Sequence, residues 1–292
     1  MGDQEDRVFQ LLLRKIREER GLDFTQYRPT CLKRRIETRL RVNRINNYLE
    51  YMGLLNRSPE EYERLLDATT INVTEFFRDP PVWEVLKNRL LPEIIQDRKN
   101  EGSSAIRVWS AGCSGGEEVY SLSILFHELL GEVVSRQSSV VRKTEDSRLT
   151  TDDFRVEIHG TDIDKGSLKK AALGEYGQES LKNMDPLLLS KYFLPTGKSF
   201  AISDSIRISA QFRTHNMITD PPLKDMSLII CRNVLIYFTR ELQVKVLENF
   251  HRSLRKDGYL VIGKSESLWG GTNKRFEVWD STERIYKKKT DD

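Results

Sequence analysis

The chain has 292 residues, 38% hydrophobic and 31% charged, with a formal net charge of +3. This is a globular composition with enough chain for one large or two modest domains and a full core. The small net charge leaves any basic surface to local clustering, and no apolar run approaches membrane-spanning length. The cysteines, Cys31, Cys113 and Cys231, are far apart and form no C-x-x-C pair. With no signal-like N-terminus, the cytoplasm is the default compartment.

Residues 1–90 read as helical. Val8, Leu11, Leu12 and Ile16 keep helical spacing, as do Leu32, Ile36 and Leu40. Segments Tyr48–Leu55 and Tyr62–Thr70 complete a small bundle, and Ser58-Pro59-Glu60-Glu61 is a helix start. A connecting helix is expected over Val82–Asp97 and a loop over Asn100–Ser104. From Ile106 strands alternate with helices, which predicts a parallel sheet. Candidate strands are Ile106–Trp109, Val156–Thr161, Ser227–Cys231, Tyr259–Gly263 and Arg284–Lys287. Candidate helices are Val119–Leu130, Lys165–Leu173 and Arg240–Leu254. Gly131–Asp153 is polar and weakly periodic, and reads as an inserted loop. Phe200–Thr214 alternates like a hairpin, with Ser203-Asp204-Ser205 as its turn.

The most informative stretch is Trp109-Ser-Ala-Gly-Cys-Ser-Gly-Gly-Glu-Glu-Val-Tyr120, a strand, glycine-rich turn and helix start. Gly112, Gly115 and Gly116 let the backbone approach a ligand, and the N–H groups of the following helix face it. The spacing is neither the dinucleotide G-x-G-x-x-G nor a P-loop; before Gly197-Lys198-Ser199, Tyr192 stands where the first P-loop glycine belongs. Glu117 and Glu118 would repel a pyrophosphate. They suit the helix macrodipole, and one of them suits a cationic, phosphate-free ligand such as S-adenosylmethionine.

Further motifs cluster with this turn. Asp162, at the end of Val156–Thr161, is placed to take both ribose hydroxyls, while Asp164 caps the next helix. Ile229–Cys231 ends in Arg232-Asn233 at the ligand edge, with Tyr237 beyond. Asn216-Met217 suits an adenine edge. His215 has no partner at metal spacing, and no metal is expected. In Asn72-Val-Thr-Glu-Phe-Phe-Arg78, Phe76 and Phe77 are expected to latch two domains, leaving Asn72, Thr74 and Arg78 for the ligand. Lys33, Arg34, Arg35, Arg39, Arg41 and Arg44 give one helix six cations against the single acid Glu37. A solvated face is the plain alternative to a docking surface for an acidic partner. Nucleic acid is disfavoured, because no aromatic residues interleave with the cations.

The chain resembles the chemotaxis receptor methyltransferases, the CheR family. The matching runs are Asn72–Arg78, Trp109–Glu118, Thr161–Asp164, Asn216-Met217, Cys231–Phe238 and Leu260–Glu266, in the family's order. The resemblance implies a Rossmann-like class I methyltransferase α/β sheet, an all-α N-terminal domain and a small inserted antiparallel β subdomain. The expected divisions are 1–80 for receptor docking, 81–104 as linker and 105–292 for S-adenosylmethionine-dependent methyl transfer. Within the last, 131–153 is the polar insertion and about 192–214 the β subdomain. The implied activity is methyl esterification of chemoreceptor glutamates, leaving S-adenosylhomocysteine. Cofactor contacts are implied for Asn72, Thr74, Arg78, Glu117, Asp162, Asn216, Met217, Arg232 and Asn233. Arg78 and Tyr237 are implied at the methyl-transfer site, and the cationic helix is implied to dock on the receptor's acidic methylation helices. Relatives that bind a receptor's C-terminal pentapeptide carry a glycine-rich insertion near Thr196–Phe212. Here only Gly197 is present, so no tether binding is expected. A non-catalytic cofactor-sensing module and a nucleic-acid methyltransferase are the rival classes. Asp220-Pro221-Pro222-Leu223 lacks the aromatic residue that the latter usually carries. A cytoplasmic monomer without membrane insertion is expected.

Overall fold

The computed structural model describes residues 2–25, 27–69, 74–103, 105–137, 149–150 and 155–290. Two compact units emerge: Met1–Asn72 with Ile236–Gln243, and Val73–Leu235 with Val244–Asp292.

The first unit holds helices α1 (Gly2–Arg20), α2 (Pro29–Val42), α3 (Tyr48–Arg57) and α4 (Pro59–Thr69). Pro29 opens α2, where a missing N–H costs nothing, and Leu32, Ile36 and Leu40 are its buried stripe. The Asn47 side chain caps α3 by accepting from Glu50 N. Phe9, Leu12, Ile16, Ile36, Tyr51 and Leu65 meet in one core. Beside that core lies a buried polar group, Glu61. It accepts from Arg39 Nε at 3.0 Å and Tyr51 Oη at 2.7 Å, with a second bond from Arg39 Nη2. This knot ties α2, α3 and α4.

The second unit starts with α5 (Pro80–Val85), a π-helical turn (Leu86–Leu90) and α6 (Leu91–Asn100). The expected single helix is therefore longer and widened in its middle. Pro92 has no N–H for the carbonyl four residues back, and the turn before it opens. There follow β1 (Ala105–Ala111), α7 (Glu117–Gln137), β2 (Leu149–Thr150), β3 (Arg155–Asp162), α8 (Lys165–Leu173), β4 (Glu175–Gly177), α9 (Pro186–Tyr192), β5 (Phe193–Thr196), β6 (Ser199–Ile202) and α10 (Asp204–Arg207). The unit closes with β7 (Ala210–Thr214), β8 (Met226–Cys231), α11 (Arg240–Ser253, whose first residues group with the helical unit), β9 (Leu254–Ile262), β10 (Phe276–Asp280) and β11 (Ile285–Lys288).

The main sheet has the order β10-β11-β9-β8-β1-β3, with β3's far edge shared by β2 and β7. Strands β7, β3, β1, β8 and β9 run parallel, while β10, β11 and β2 are antiparallel to their neighbours. Its central strands are apolar on both faces, and all six residues of β8 are buried. A second sheet, β4-β6-β5, is antiparallel.

Three expectations change. The alternating run 200–214 is not one hairpin. Its first part, β6, pairs with β5 around Gly197 and with β4; Ser203 leads into α10; and β7 joins β3 in the main sheet. The antiparallel subdomain thus draws on 175–202 rather than 192–214. Gly131 to Gln137 continues α7, and Leu149-Thr150 pairs with β3, so the polar insertion begins as helix; 138–148 and 151–154 lie outside the described residues. Phe76 packs edge-on against Tyr176 and Phe193, and Phe77 against Trp83, all in the second unit. A latch between domains is not needed to account for their burial.

The Glu61 knot has a pH signature. Burial works to raise its carboxyl, but hydrogen bonds from Arg39 and Tyr51 outweigh burial and hold it below the ordinary 4.5. A depressed folded value stabilises fully above the unfolded value and is lost as pH falls through the folded one. Melting followed by helical circular dichroism should show the helical unit weakening below about pH 4.5. Glu61→Gln should lower its stability by about 3 kcal/mol at pH 7 and flatten that acid limb.

Candidate functional site

The site assembles where β1, β3, β7, β8 and β9 all end, the edge at which open α/β sheets bind ligands. After β1 the chain turns through Gly112 (φ +80°), Ser114 (φ +47°) and Gly116 (φ +88°) before α7 begins. A Cβ on Gly112 would stand 2.7 Å from Val234 Cγ2, and one on Gly116 2.8 Å from Ala171 Cβ. Neither position therefore accepts a side chain without displacement. Gly112 N and Cys113 N donate to Thr161 O at 2.8 and 2.9 Å, which binds the turn to the end of β3.

Asp162 completes that attachment. Its Oδ2 accepts from Ser114 N at 2.8 Å and its Oδ1 from Asp164 N at 2.9 Å. Burial pushes its carboxyl above the ordinary value, opposed by these N–H groups. Asp164 caps α8, accepting from Gly166 N at 2.7 Å and Ser167 N at 3.2 Å. One carboxylate thus stays at the ligand edge, while the other is used on a helix end.

The two glutamates of the turn diverge, because successive helical residues point about 100° apart. Glu117 is fully buried; its Oε1 accepts from Lys170 Nζ at 3.2 Å and Ser180 Oγ at 3.4 Å. Its Oε2 is buried without a hydrogen-bond partner among the described residues. Burial raises the Glu117 carboxyl, and Lys170 works against that. Glu118 faces the other way, accepting from Ser110 Oγ at 2.8 Å, with Arg232 Nη1 3.5 Å from its Oε2.

Arg232 is buried at the end of β8. Its Nη2 donates to Arg78 O at 2.8 Å and to Asp79 Oδ2 at 2.7 Å. Trp83 Nε1 donates to the same Arg78 carbonyl at 2.8 Å. Asn233 has φ +60°, and its N–H donates to Glu266 Oε2 at 3.2 Å, which also accepts from Gly263 N at 2.6 Å. Asn216 Oδ1 accepts from Ile218 N, Asn216 N donates to Asp220 Oδ2, and Met217 is buried. His215 N donates to Asp162 O at 3.0 Å, which joins this loop to β3. Thr74 is half-buried, and Asn72 lies outside the described residues.

The second unit therefore brings Arg78, Glu117, Asp162, Asn216, Met217, Arg232 and Asn233 to one sheet edge. Tyr237 groups with the helical unit instead. Its carbonyl accepts from Arg28 N at 2.8 Å, and the Arg35 guanidinium lies 5.8 Å from its ring centre. The cationic face of α2 splits. Lys33 pairs with Asp6, Arg35 Nη1 donates to Ala68 O at 2.9 Å, and Arg39 is held by Glu61. Arg34 and Arg41 are exposed, and so is Arg44, which contrary to expectation lies past the end of α2 with left-handed backbone.

Asp79, Trp83, Ser114 and Glu266 escaped the reading of the sequence, whereas Glu118 is one of the two turn acids it singles out. Asp79 before Pro80-Pro81 carries the signal of a helix cap, yet it has left-handed backbone and makes no side-chain cap bond. Its carboxylate is engaged by Arg232. No group of three or more His, Cys, Asp or Glu suited to a metal occurs among the described residues. No helix there is long and apolar enough to cross a membrane.

These residues fit S-adenosylmethionine. A carboxylate stands at the strand end for a diol, a buried glutamate oxygen has no donor among the described residues, and the closely set turn carries no basic residue for a phosphate. Comparison with known proteins bears on the same point. A family description reading "CheR methyltransferase, all-alpha domain" matches residues 7–70, and "CheR methyltransferase, SAM binding domain" matches 72–148 and 138–285. A chemotaxis protein methyltransferase of Listeria innocua is 32% identical over 255 residues, covering 87% of this chain and 88% of that protein. One from Borreliella burgdorferi is 30% identical over 259 residues, 87% and 85% of the two chains. The putative methyltransferase Cher3 of Pseudomonas putida is 30% identical over 292 residues, 97% of each. With both halves matched and most of each relative covered, the chain belongs to the CheR methyltransferase family.

Proposed function

We propose that the chain methylates glutamate side chains on the cytoplasmic helical bundle of a chemoreceptor, using S-adenosylmethionine, for sensory adaptation. Family membership carries the reaction class and the cofactor. The observation that carries the site is the joining of Asp162, the glycine turn and the Arg232–Arg78 contact at one sheet edge. Asn72, Thr74, Arg78, Glu117, Asp162, Asn216, Met217 and Asn233 are the proposed cofactor residues, with Asp162 for the ribose and Glu117 for a cationic group; Arg232, expected among them, is instead engaged by Arg78 O, Asp79 and Glu118.

When bound, S-adenosylmethionine supplies an electrophilic methyl on a sulfonium. A glutamate acceptor is already a carboxylate at neutral pH, so no general base is required. The work of the protein is orientation and exclusion of water, and orientation alone contributes about 7–11 kcal/mol. Arg78 holds one oxygen of the acceptor by a charge-assisted hydrogen bond and leaves the other as the nucleophile. Tyr237 sets the direction of approach through its hydroxyl or ring face. Opposite charges disappear as the ester forms, so a dry site lowers the barrier.

The docking face is Lys33, Arg34, Arg35, Arg39 and Arg41 on α2 with Arg44 just past its end, toward acidic receptor helices. Arg34, Arg41 and Arg44 present its charge outward, Lys33 is paired with Asp6 at the surface, and Arg35 and Arg39 brace it from within. The protein acts in the cytoplasm as a monomer. It takes no nucleic acid and does not insert into membrane.

Three outcomes test this reading. Arg78→Ala should lower turnover about 100-fold while S-adenosylhomocysteine affinity, by calorimetry, changes far less. The assay is radiolabelled methyl transfer to receptor membranes, released by mild base as methanol; near-normal turnover would remove Arg78 from the mechanism. Asp162→Ala should weaken S-adenosylhomocysteine binding about 10- to 100-fold, the worth of a charged hydrogen bond. Titration with a receptor C-terminal pentapeptide should give no measurable binding.

A further inference from the structure

The segment Phe77-Arg78-Asp79 has left-handed backbone at both ends, with φ +50° at Phe77 and +57° at Asp79. Glycine, asparagine and aspartate adopt that conformation more readily than other residues, so Phe77 in particular needs support from outside the segment. Phe77 is fixed by its N–H, which donates to Ser121 Oγ at 3.1 Å, and by its ring against Trp83. The other half of the segment is held by Arg232. The guanidinium lies 5.7 Å from the Trp83 ring centre, and its side chain is 4% exposed. It donates at once to the Arg78 carbonyl and the Asp79 carboxylate, at 2.8 and 2.7 Å. Glu118 Oε2, 3.5 Å away, balances the second nitrogen. Only a planar fork reaches two acceptors of this spacing and an acid on its other arm; an ammonium is a point donor.

We infer that Arg232 is a positioning residue for methyl transfer: its guanidinium clamps the Arg78 carbonyl and Asp79, holds the left-handed turn, and so aims the Arg78 side chain at the acceptor carboxylate. This departs from a role as a cofactor contact. Buried in a cation–acid cluster and engaged with Arg78 O, Asp79 and Glu118, the guanidinium acts on the substrate through Arg78. The inference rests on the reading of Arg78 given above. Asp79 is the other half of the clamp, and its side chain is 40% exposed, so it can be altered with little disturbance of the core.

The full chain is the test object, with Arg232→Lys, Arg232→Met, Asp79→Asn, Arg78→Ala and the double variant Arg78→Ala/Arg232→Met. S-adenosylhomocysteine affinity is measured by calorimetry, and kcat and KM by methyl transfer to membranes holding the cognate receptor. Arg232→Lys and Asp79→Asn should lower kcat about 10-fold, a fold-change typical of one charged hydrogen bond, and Arg232→Met more. Cofactor affinity should stay within about 3-fold of the parent, since the affected bonds lie within the protein. The double variant should be no slower than Arg78→Ala alone, because both changes disable one unit. A loss of cofactor affinity equal to the loss of kcat would overturn the inference and make Arg232 a cofactor contact. Additive losses in the double variant would overturn it alone, leaving Arg78 in place. Near-normal turnover in Arg78→Ala would instead overturn the reading of Arg78, and this inference with it. If Arg232→Met does not fold, Arg232→Lys and Asp79→Asn carry the same comparison.

Discussion

Everything at the sheet edge hangs on the carboxylate of Asp162. It is buried at the end of β3, yet it accepts two backbone N–H groups, one from the glycine turn and one from its own loop. A buried carboxylate without such donors would be expelled or neutralised. With them it nails Ser114 against β3, in a left-handed conformation that a serine would otherwise leave. The turn then has one path into α7, and that path fixes where Glu117 and Glu118 begin. Glu118 in turn sits where Arg232 can meet it, and Arg232 holds the Arg78 carbonyl. A single acid at the end of β3 thus bears on the geometry of Arg78, a residue that lies before β1.

Two of the cations at this edge have acids beside them. Arg232 stands between Glu118 and Asp79, and Lys170 beside Glu117. Burial raises the Glu118 carboxyl, while Arg232, Ser110 and Arg78 pull it back. Bringing a sulfonium and a carboxylate into such a field adds opposite charges that are removed together when the ester forms. Neither product is charged at the reacting atoms, so the surrounding pairs need not reorganise. A reaction that consumes opposite charges gains from exclusion of water rather than from dipoles aimed at a developing charge.

Much of this was legible in residue patterns, and the exceptions share a cause. The glycine turn, Asp162 at a strand end and Asp164 as a cap follow from local rules, and the structure gives the last two their distances. The run 200–214 misled because alternation reports one buried face and not which sheet buries it. β7 alternates beside β3, where Phe212 would lie 2.8 Å from a Cβ on Gly160; β6 alternates in the small sheet. Arg232 was recognisable as a residue of the site. Its work was not, because Asp79 and Trp83 come from about 150 residues earlier and no spacing rule links them. Pro92 was visible, but its effect on the turn before it depends on the helix continuing through it.

The α2 helix shows the same limit at a charged surface, and it narrows what docking can rest on. Arg39 flanks the buried stripe Leu32–Ile36–Leu40, so its guanidinium reaches Glu61 rather than solvent. Arg35 lies one turn earlier on the same flank, turned toward the Ala68 carbonyl and the Tyr237 ring. Such cations hold the helix and its neighbours in place and contribute little field outside. The exposed set, Arg34, Arg41 and Arg44, acts differently. Exposed charges attract an acidic partner over about a Debye length, roughly 8 Å at physiological salt, and speed encounter more than they deepen affinity. The inner cations fix α2 to its neighbours, Arg39 through Glu61 and Arg35 through the Ala68 carbonyl, and Arg35 also flanks the Tyr237 ring within the same compact unit.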